Sequence, residues 1–567
     1  MGPHLGSLSD ELLLMVLEEV RRASPWSLLS MCLTAHRFCR LATSLIYQQV
    51  SIPSRQLQDN DDKTLLEERF YNFEANVVAY ARHITVCCLL NWFLFSNLLS
   101  RMQHLETVTW HFWDSPFPSI VKKVLRKQCP NVKLYIENLS IGYRTDDEDV
   151  QTADLNLLKS LVGIQNIHAV KVVINYEHPV SMRWLKDALI SSKNLEVLHL
   201  SPPRNHDGRI EWRNDDLGQY DLCVEEGERL ESLTELVYES RSFYATKLIP
   251  VSFFNWSKIR HLELRGHILR HYVHFLQTQE VYFHTLVLES IASSAYLQAG
   301  NKFLDEFLNH LHGLKRLALV TPLDQIPIDT IALHGDTLRS LSIRFIRRSV
   351  DPYSILVNIP PYEVQQIDSL NTSCPHISSL ALDIGIADFM PYDILTAISR
   401  FPHLTTIRLY FRFAATGTYF GHNYCPTTAG NKNIPHVYTD RLTVRHIFSY
   451  ISTHKVGCRL EQLEVMMGDF PRSLARVGMG PRDPERPNIL FICHEDSNGS
   501  IVVRDDVTDH EDVGWNRYFD MQRLATQPGQ TWPENLEEIM AAEEEADRIM
   551  KGIDMLDDDT ESLFGEP

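Results

Sequence analysis

Three histidines at helical spacing are the arrangement in this sequence that comes closest to a metal site. His267, His271 and His274 fall at positions i, i+4 and i+7, which would put three imidazoles on one face of a helix. The zinc-protease pattern HExxH needs an acidic residue after its first histidine, and Ile268 stands there instead. Because the chain has 25 histidines, such triplets arise by chance, and structural histidines are the simpler interpretation. A metal-dependent enzyme remains the alternative that metal analysis of the purified protein would test.

The other residue types that support catalysis lack the spacing that catalysis needs. The sequence contains no G-x-x-x-x-G-K phosphate loop, no G-x-G-x-x-G and no G-x-S-x-G elbow. Cys493 and His494 are adjacent, so on a strand they point to opposite faces and are a poor nucleophile and base. None of the ten cysteines belongs to a C-x-x-C pair, which favours buried, reduced thiols. The sequence therefore predicts a protein that is not an enzyme and has no metal or cofactor.

Length and composition indicate a large, folded, acidic protein. The 567 residues exceed what one small core organises, so several domains or a repeat array are expected. A formal net charge of −19 disfavours binding to nucleic acid or to an anionic membrane. The first residues lack the layout of a secretory signal, and the most apolar stretch, residues 84–99, is shorter than the roughly 20 residues that cross a bilayer. We expect a cytoplasmic or nuclear location, or both.

A six-residue pattern, apolar-x-x-apolar-x-apolar, recurs through the middle of the chain. The clearest copies begin at Ile167, Leu195, Leu233, Ile259, Phe283, Leu314, Leu338, Ile377, Leu404 and Leu460, with a further copy at Leu105 and a distorted one after Pro130. Successive starts are 24 to 56 residues apart, with a median of 28. The alternation at the end of each hexad predicts a short strand, and the stretches before the hexads have helical spacing. One helix and one strand cannot bury their apolar faces alone, so the copies are expected to stack.

This pattern resembles the leucine-rich repeat family over roughly residues 100–470. The resemblance implies a solenoid with parallel strands inside and helices outside. In the family an Asn or Cys stands three residues after the second strand leucine, whereas this chain has other residues there, such as Pro203, His267 and Gly385. The array is therefore degenerate, and an irregular solenoid is expected, with loops such as residues 201–218 and 413–441. A generic α/β domain whose strands share the pattern is the alternative.

The N-terminal residues predict a small three-helix unit. Ser7 or Ser9 can cap a first helix with acidic residues in its first turn, and Pro25 can open a second. A third helix carries Phe38, Leu41 and Leu45. About forty residues make a core that is too small to be stable alone, so an apolar partner surface is expected.

This segment resembles the F-box, including its fungal form. Leu8, Glu11, Leu12 and Leu13 stand where the family has Leu-Pro-x-Glu-Leu-Leu, although Ser9 replaces the proline. The later positions that match are Val16, Leu17, Pro25, Leu28, Leu29, His36, Arg37, Phe38, Leu45, Ile46 and Tyr47. The resemblance implies docking on a Skp-type adaptor and, through it, on a cullin scaffold. The adaptor-facing residues that it implies are Leu8, Leu12, Val16 and Leu28.

The chain is expected to divide into six parts. Residues 1–50 form the F-box-like module, 51–100 a helical linker or cap, and 101–470 the degenerate repeats. Residues 471–487 form a loop, and residues 488–533 form a hairpin cap whose turn is marked by Asn498-Gly499. Residues 534–567 carry thirteen acidic side chains against Arg548 and Lys551, a net charge of −11, and are expected to be a solvated tail, partly helical or disordered.

The combination predicts a substrate-recognition subunit of an SCF-type ubiquitin ligase, which holds a target protein on its repeat surface. The middle residue of each hexad should face the concave side, where Val287, Ala318, Ser342 and Ala381 form a small, neutral docking floor between charged flanks. A run of arginines, Arg344, Arg347 and Arg348, leaves open whether recognition needs a phosphorylated target. The alternative is an interaction scaffold without a role in ubiquitin transfer, in which the F-box-like helices only cap the solenoid.

Overall fold

The chain folds as an α/β protein with an N-terminal helical unit and one long sheet. The structure, a computed structural model, describes residues 8–52, 74–87, 92–111, 116–141, 148–174, 179–201, 222–240, 249–266, 269–289, 302–321, 327–345, 362–386, 390–413, 441–467, 489–496 and 499–505. The expected loop at 471–487 and the acidic tail at 534–567 lie outside these residues, as do residues 202–218 and 414–440.

Three helices form the N-terminal unit, called the knob below: α1 (Asp10–Ala23), α2 (Pro25–Cys32) and α3 (His36–Gln48). Ser9 caps α1 by accepting a hydrogen bond from the backbone N–H of Leu12 at 3.4 Å, which satisfies one of the unpaired amides of the first turn. Pro25 occupies the start of α2, where its missing N–H costs nothing. The knob has its own core, made of Leu13, Leu17, Leu28, Leu41, Ala42 and Leu45.

Sixteen strands of the described residues form a single open sheet in which the spatial order equals the chain order. The strands are β1 (Gln49–Ile52), β2 (His83–Val86), β3 (Thr107–His111), β4 (Lys133–Ile141), β5 (Ile167–Ile174), β6 (Val197–Ser201), β7 (Glu235–Ser240), β8 (His261–Gly266), β9 (Thr285–Glu289), β10 (Arg316–Thr321), β11 (Ser340–Phe345), β12 (Ser379–Ile386), β13 (Thr406–Phe413), β14 (Gln462–Met467), β15 (Ile489–Glu495) and β16 (Ile501–Asp505). Strands β1 to β14 pair in parallel, whereas β15 and β16 run antiparallel to their neighbours. Such an open, mostly parallel sheet is compatible with a solenoid.

Each clear hexad supplies a strand, as its alternation predicts. In the hexad that starts at Phe283, Leu286 and Leu288 are buried, while Thr285 and Val287 on the opposite face stay partly exposed. Corresponding hexad positions meet across strands, so that Leu286 pairs with Leu262 on one side and with Leu317 on the other. The apolar side chains therefore stack into one continuous core that runs from β2 to β15.

Helices connect most of the parallel strands. They are α4 (Glu74–Tyr80), α5 (Trp92–Arg101), α6 (Ser119–Lys127), α7 (Glu148–Leu161), α8 (Pro179–Ser191), α9 (Leu269–Leu276), α10 (Lys302–His310), α11 (Ile328–Ala332), α12 (Val364–Ser373), α13 (Tyr392–Ser399) and α14 (Arg441–His454). Crossovers between neighbouring parallel strands are right-handed, so a sequential strand order puts the helices on one side of the sheet. Contacts between consecutive helices agree with this layer. The opposite side of the sheet is called the open face below.

The sheet begins earlier than the hexads indicate. Strand β1 follows α3 without an intervening residue, and β2 lies within residues 51–100, for which the sequence predicts only a helical linker or cap. Residues 47–52 and 81–86 also fit the hexad, as Tyr47-x-x-Val50-x-Ile52 and Ala81-x-x-Ile84-x-Val86, although neither was counted among its copies. At the other end, β15 and β16 flank the Asp496–Ser500 segment and continue the sheet from β14, with Gly499 at a φ of 79° in the turn.

Candidate interaction surfaces

The knob separates its apolar side chains into a core and an exposed set. Leu28 is 1% exposed and packs inside the three-helix core, although the sequence analysis expected it to face an adaptor. Its neighbour Leu29, about 100° further round the helix, is 48% exposed instead. The expectation for Leu28 is therefore corrected, because α2 turns that position inward to cover α1 and α3.

Two exposed apolar strips lie on adjacent helices of the knob. On α1, Leu12, Met15 and Val16 follow at i, i+3 and i+4, and they are 49%, 62% and 36% exposed. On α2 and at its end, Leu29 and Leu33 are four residues apart, and Leu33 is 90% exposed. We call these five residues the knob strip. Leu12 and Val16 are among the residues expected to face an adaptor, whereas Met15 and Leu33 are not, although their spacing from Leu12 and Leu29 carries the signal.

Polar contacts hold the first residues of the knob against α3. Asp10 accepts hydrogen bonds from Arg37 Nε at 2.8 Å and from Arg40 Nη2 at 2.6 Å. Arg37 also donates to the carbonyl oxygen of Leu8 at 2.6 Å, which fixes this partly buried leucine beside the knob core. At the far end of α1, Arg21 donates to Gln48 at 2.9 Å. These contacts orient α1, and therefore its exposed strip, relative to the sheet that follows α3.

The four expected floor residues lie in one row across the open face. Val287 on β9 pairs with Ala318 on β10, Ala318 pairs with Ser342 on β11, and Ser342 pairs with Ala381 on β12. Neighbouring strands are about 4.8 Å apart, so the row is about 14 Å long. We call these residues the floor. Val287, Ala318 and Ser342 are small and partly exposed, so a partner can approach their strand backbones closely, whereas Ala381 is buried at 8% exposure.

Charged side chains flank the floor on the side of the earlier strands. His199 Nε2 lies 2.7 Å from Glu235 Oε1, and Lys171 Nζ lies 2.9 Å from Glu137 Oε1. The hydrogen bond from His199 holds the pKa of Glu235 below its ordinary value, against the opposing effect of burial. On β8, Arg265 pairs with Glu263 and lies 3.7 Å from a carboxylate oxygen of Glu289 on β9.

Arginines and an aromatic ring flank the floor on the side of the later strands. Arg408 on β13 pairs with Glu464 on β14, which is buried. The guanidinium carbon of Arg344 lies 3.8 Å from the centre of the Tyr410 ring, a cation–π contact that spans β12. Arg347 and Arg348, the other members of the expected arginine run, lie outside the described residues.

Of the residues considered for catalysis, the structure describes the side chains of His274, Cys493 and His494. His267 lies outside the described residues, and His274 is exposed on α9. Within the described ranges, no group of three or more His, Cys, Asp or Glu side chains is placed to hold a metal ion. Cys493 is buried in the core, and burial raises the pKa of its thiol to about 12, so the nucleophilic thiolate does not form near neutral pH.

No protein-family model matches the sequence, and no curated protein matches it. Of the helices in the described part of the chain, none combines the length and the apolar character needed to cross a bilayer. The resemblances to the F-box and to leucine-rich repeats therefore rest on the residues quoted for them.

Proposed function

We propose that this chain is a substrate-recognition subunit of an SCF-type ubiquitin ligase. The knob strip would dock on a Skp-type adaptor, and the open face would hold a target protein. The observation that carries the proposal is the exposure of Leu12, Met15, Val16, Leu29 and Leu33 on a unit of about forty residues. Exposed apolar side chains grouped on so small a surface are typical of a protein–protein interface.

Such a subunit would act by bringing two proteins close together. A receptor of this kind carries no reacting group, and it raises the local concentration of target lysines near a conjugating enzyme held by other subunits. The open face suits this role because its floor is small and neutral between charged flanks, so shape and charge can both select a partner. No nucleic acid or membrane is part of the proposal, and the location that fits it is the cytoplasm, the nucleus or both.

The proposal is tested by binding of the purified full chain to a recombinant Skp-type adaptor. Replacing Leu12 and Val16 by Asp should weaken binding by at least about a hundredfold, because both side chains would lie in the apolar centre of the interface. The control replaces two exposed apolar residues of the repeat region, Leu333 and Val456, by Asp. Full binding by the control and loss in the knob variant supports the proposal. A native chain that binds no adaptor refutes it.

A second function has an observation in its favour. Helix α3 packs on α4 and continues directly into β1, so the knob adjoins the first edge of the sheet, where a solenoid cap would lie. A pure interaction scaffold would need the knob for that purpose alone. The Asp variant separates the two functions, since a scaffold would keep its target while no adaptor binds in either form.

A further inference from the structure

A row of arginine, histidine and lysine side chains lies along the amino edge of the sheet. In this part of the sheet, the backbone N–H of the residue just before a strand donates to the carbonyl oxygen of the equivalent residue in the preceding repeat. In four successive repeats that residue is an arginine, a histidine or a lysine. The backbone N–H of His284 donates to the carbonyl oxygen of Arg260 at 2.8 Å. In the same way the N–H of Lys315 donates to the carbonyl oxygen of His284 at 2.9 Å, and the N–H of Arg339 donates to that of Lys315 at 2.8 Å. We call Arg260, His284, Lys315 and Arg339 the basic stripe.

The stripe is accessible. The side chains of His284, Lys315 and Arg339 are exposed, as is that of Arg316 on the adjoining open face. Arg260 is half-buried because its guanidinium donates to the carbonyl oxygens of Ser257 and Tyr282 at 2.9 and 3.2 Å. In the part of the chain that the structure describes, neither Lys315 nor Arg316 nor Arg339 has a carboxylate within ion-pair distance.

Near the knob, the amino edge of the sheet carries paired charges of opposite sign. Arg82 lies 3.0 Å from Glu106 there, and Lys133 lies 3.7 Å from Glu196, so charges of opposite sign pair across the repeats. At the stripe, the like charges Lys315 and Arg339 stand on neighbouring strands, about 4.8 Å apart, an arrangement that opposes strand pairing. A ligand of negative charge would remove this repulsion.

The acidic segment of this chain has the matching charge. Residues 534–567 carry a net charge of −11 and include two runs of acids, at 543–545 and at 557–559. The stripe spans three strand spacings, about 14 Å, and five extended residues such as 557–561 span about 16 Å. The charge and the length of the second run therefore fit the stripe.

The acidic segment is also tethered within reach. Strand β16 ends at Asp505, and 28 residues separate Asp505 from Glu534. An extended chain of that length spans about 90 Å, whereas β16 and β8 are eight strand spacings apart, or about 38 Å. Tethering gives an effective concentration in the millimolar range, which populates even a weak contact.

We propose that residues 534–567 dock on the basic stripe and cover the amino edge of the floor. Arg316 makes the link, because it lies beside Lys315 and pairs with Thr285 and Ser340 in the open-face row next to the floor. The acidic segment is then an internal competitor for anionic ligands of this surface. This inference is independent of whether the knob binds an adaptor.

Carbodiimide cross-linking of the full chain tests the contact. The reagent joins carboxylates to lysine amines without a spacer, so mass spectrometry should find Lys315 joined to a peptide from residues 534–567. Lys127, exposed at the end of α6, is the control. The Lys315 product should disappear at about 0.5 M salt, where the screening length falls to roughly 4 Å. Equal yields at Lys127 and Lys315, or no product at Lys315, would overturn the proposal.

Mixing unlabelled and 15N-labelled full chains identifies the source of the acidic segment. Cross-links within one isotope support docking on the same molecule, whereas mixed-isotope products at the same yield mean that a second copy supplies it and refute the tethered arrangement.

A competition experiment tests the functional consequence. A fluorescent peptide of residues 534–567 is titrated into the native full chain and into a full chain with residues Asp557, Asp558 and Asp559 changed to Asn and Glu561 to Gln. Removal of the internal competitor should tighten peptide binding by at least about tenfold. Adding Lys315→Glu and Arg339→Glu should abolish it, whereas the matched pair Arg126→Glu and Lys127→Glu should not. Equal affinity for the native and neutralised chains would refute self-occupancy and leave the stripe open to anionic partners from outside.

Discussion

Nζ of Lys186 lies 2.9 Å from Oε2 of Glu228, and the lysine side chain is only 3% exposed. The ammonium group also donates to the carbonyl oxygen of Cys223 at 3.2 Å. This buried cation on α8 therefore holds the segment that precedes β7 against the helix layer.

Lys186→Met should destabilise this part of the chain by about 2 kcal/mol, because Glu228 would lose its cation while remaining partly buried. Hydrogen exchange of residues 222–230 and urea unfolding measure the effect. Lys193→Met, which changes an exposed lysine two residues beyond α8, should cost less than about 0.5 kcal/mol. Adding Glu228→Gln to Lys186→Met should recover part of the loss. No protection change in residues 222–230 would contradict the role of the pair.

Acid should reduce the stabilisation that the Lys186–Glu228 ion pair contributes. Burial favours a higher pKa for Glu228, but hydrogen bonds from the Glu225 N–H and from Lys186 outweigh it and hold the pKa below the ordinary value of 4.5. A lowered folded-state pKa means that the stabilisation is complete above the unfolded pKa and is lost as the pH falls through the folded pKa. The difference in stability between the native chain and Lys186→Met should therefore be constant above about pH 5 and shrink below it. Urea unfolding midpoints of both chains at several pH values check this. A stability difference between them that grows in acid would contradict the prediction.

Leu28 and Leu29 should respond in opposite ways to truncation. Leu28→Ala leaves a cavity in the knob core and should cost about 2–4 kcal/mol, seen as faster hydrogen exchange in α1 to α3. Leu29→Ala should leave exchange unchanged and, if the proposed function holds, weaken adaptor binding by about tenfold. The reverse assignment of the two effects would refute the inward position of Leu28.

Two glycines with the same backbone conformation should tolerate alanine differently. Gly457 and Gly163 both have a φ of 80°, which strains any residue with a Cβ. A Cβ at Gly457 would meet the carbonyl oxygen of Pro402 at 2.2 Å, whereas one at Gly163 would meet nothing within 4 Å. Gly163→Ala should cost about 1 kcal/mol and Gly457→Ala at least about 3 kcal/mol, as measured by thermal unfolding. Equal losses would mean that backbone strain alone decides.

Ala318→Arg should block the floor, because a long charged side chain would rise between Val287 and Ser342. Proteins that accumulate when the chain is removed from cells supply candidate targets. Binding of such a target should fall by at least about tenfold, while adaptor binding stays unchanged. Val173→Arg, on β5 at a distant part of the open face, is the matched control. A target that binds Ala318→Arg normally does not use the floor.

The repeated strands are predictable because their signal is local. In each hexad the second and third apolar residues are two apart, so side chains such as Leu317 and Leu319 can only be buried together on one face of a strand. The same positions give the register between strands. The floor therefore follows from the hexads, and so does the basic stripe, whose four members all occupy the second hexad position. The stripe was missed although its members, 24 to 31 residues apart, are no further apart in the chain than those of the floor, because only the middle strand residue of each hexad was assigned to a face.

Features that depend on packing between elements were harder to predict. Leu28 and Leu29 are both leucines near the start of a short helix, and only contact with α1 and α3 decides which of them is covered. The ion pair between Lys186 and Glu228 joins two residues that are 42 apart in the chain, and Glu228 lies in a segment without the repeat pattern.

The passage from Gln48 in α3 to Gln49 in β1 leaves no hinge between the knob and the sheet. Because the strands follow each other in chain order, strand number is a measure of distance from the knob, at about 4.8 Å per step. Ala318 on β10 lies nine steps, or about 43 Å along the sheet, from β1. Inserting or deleting one repeat would therefore move whatever binds the later strands by a fixed increment while leaving the knob unchanged.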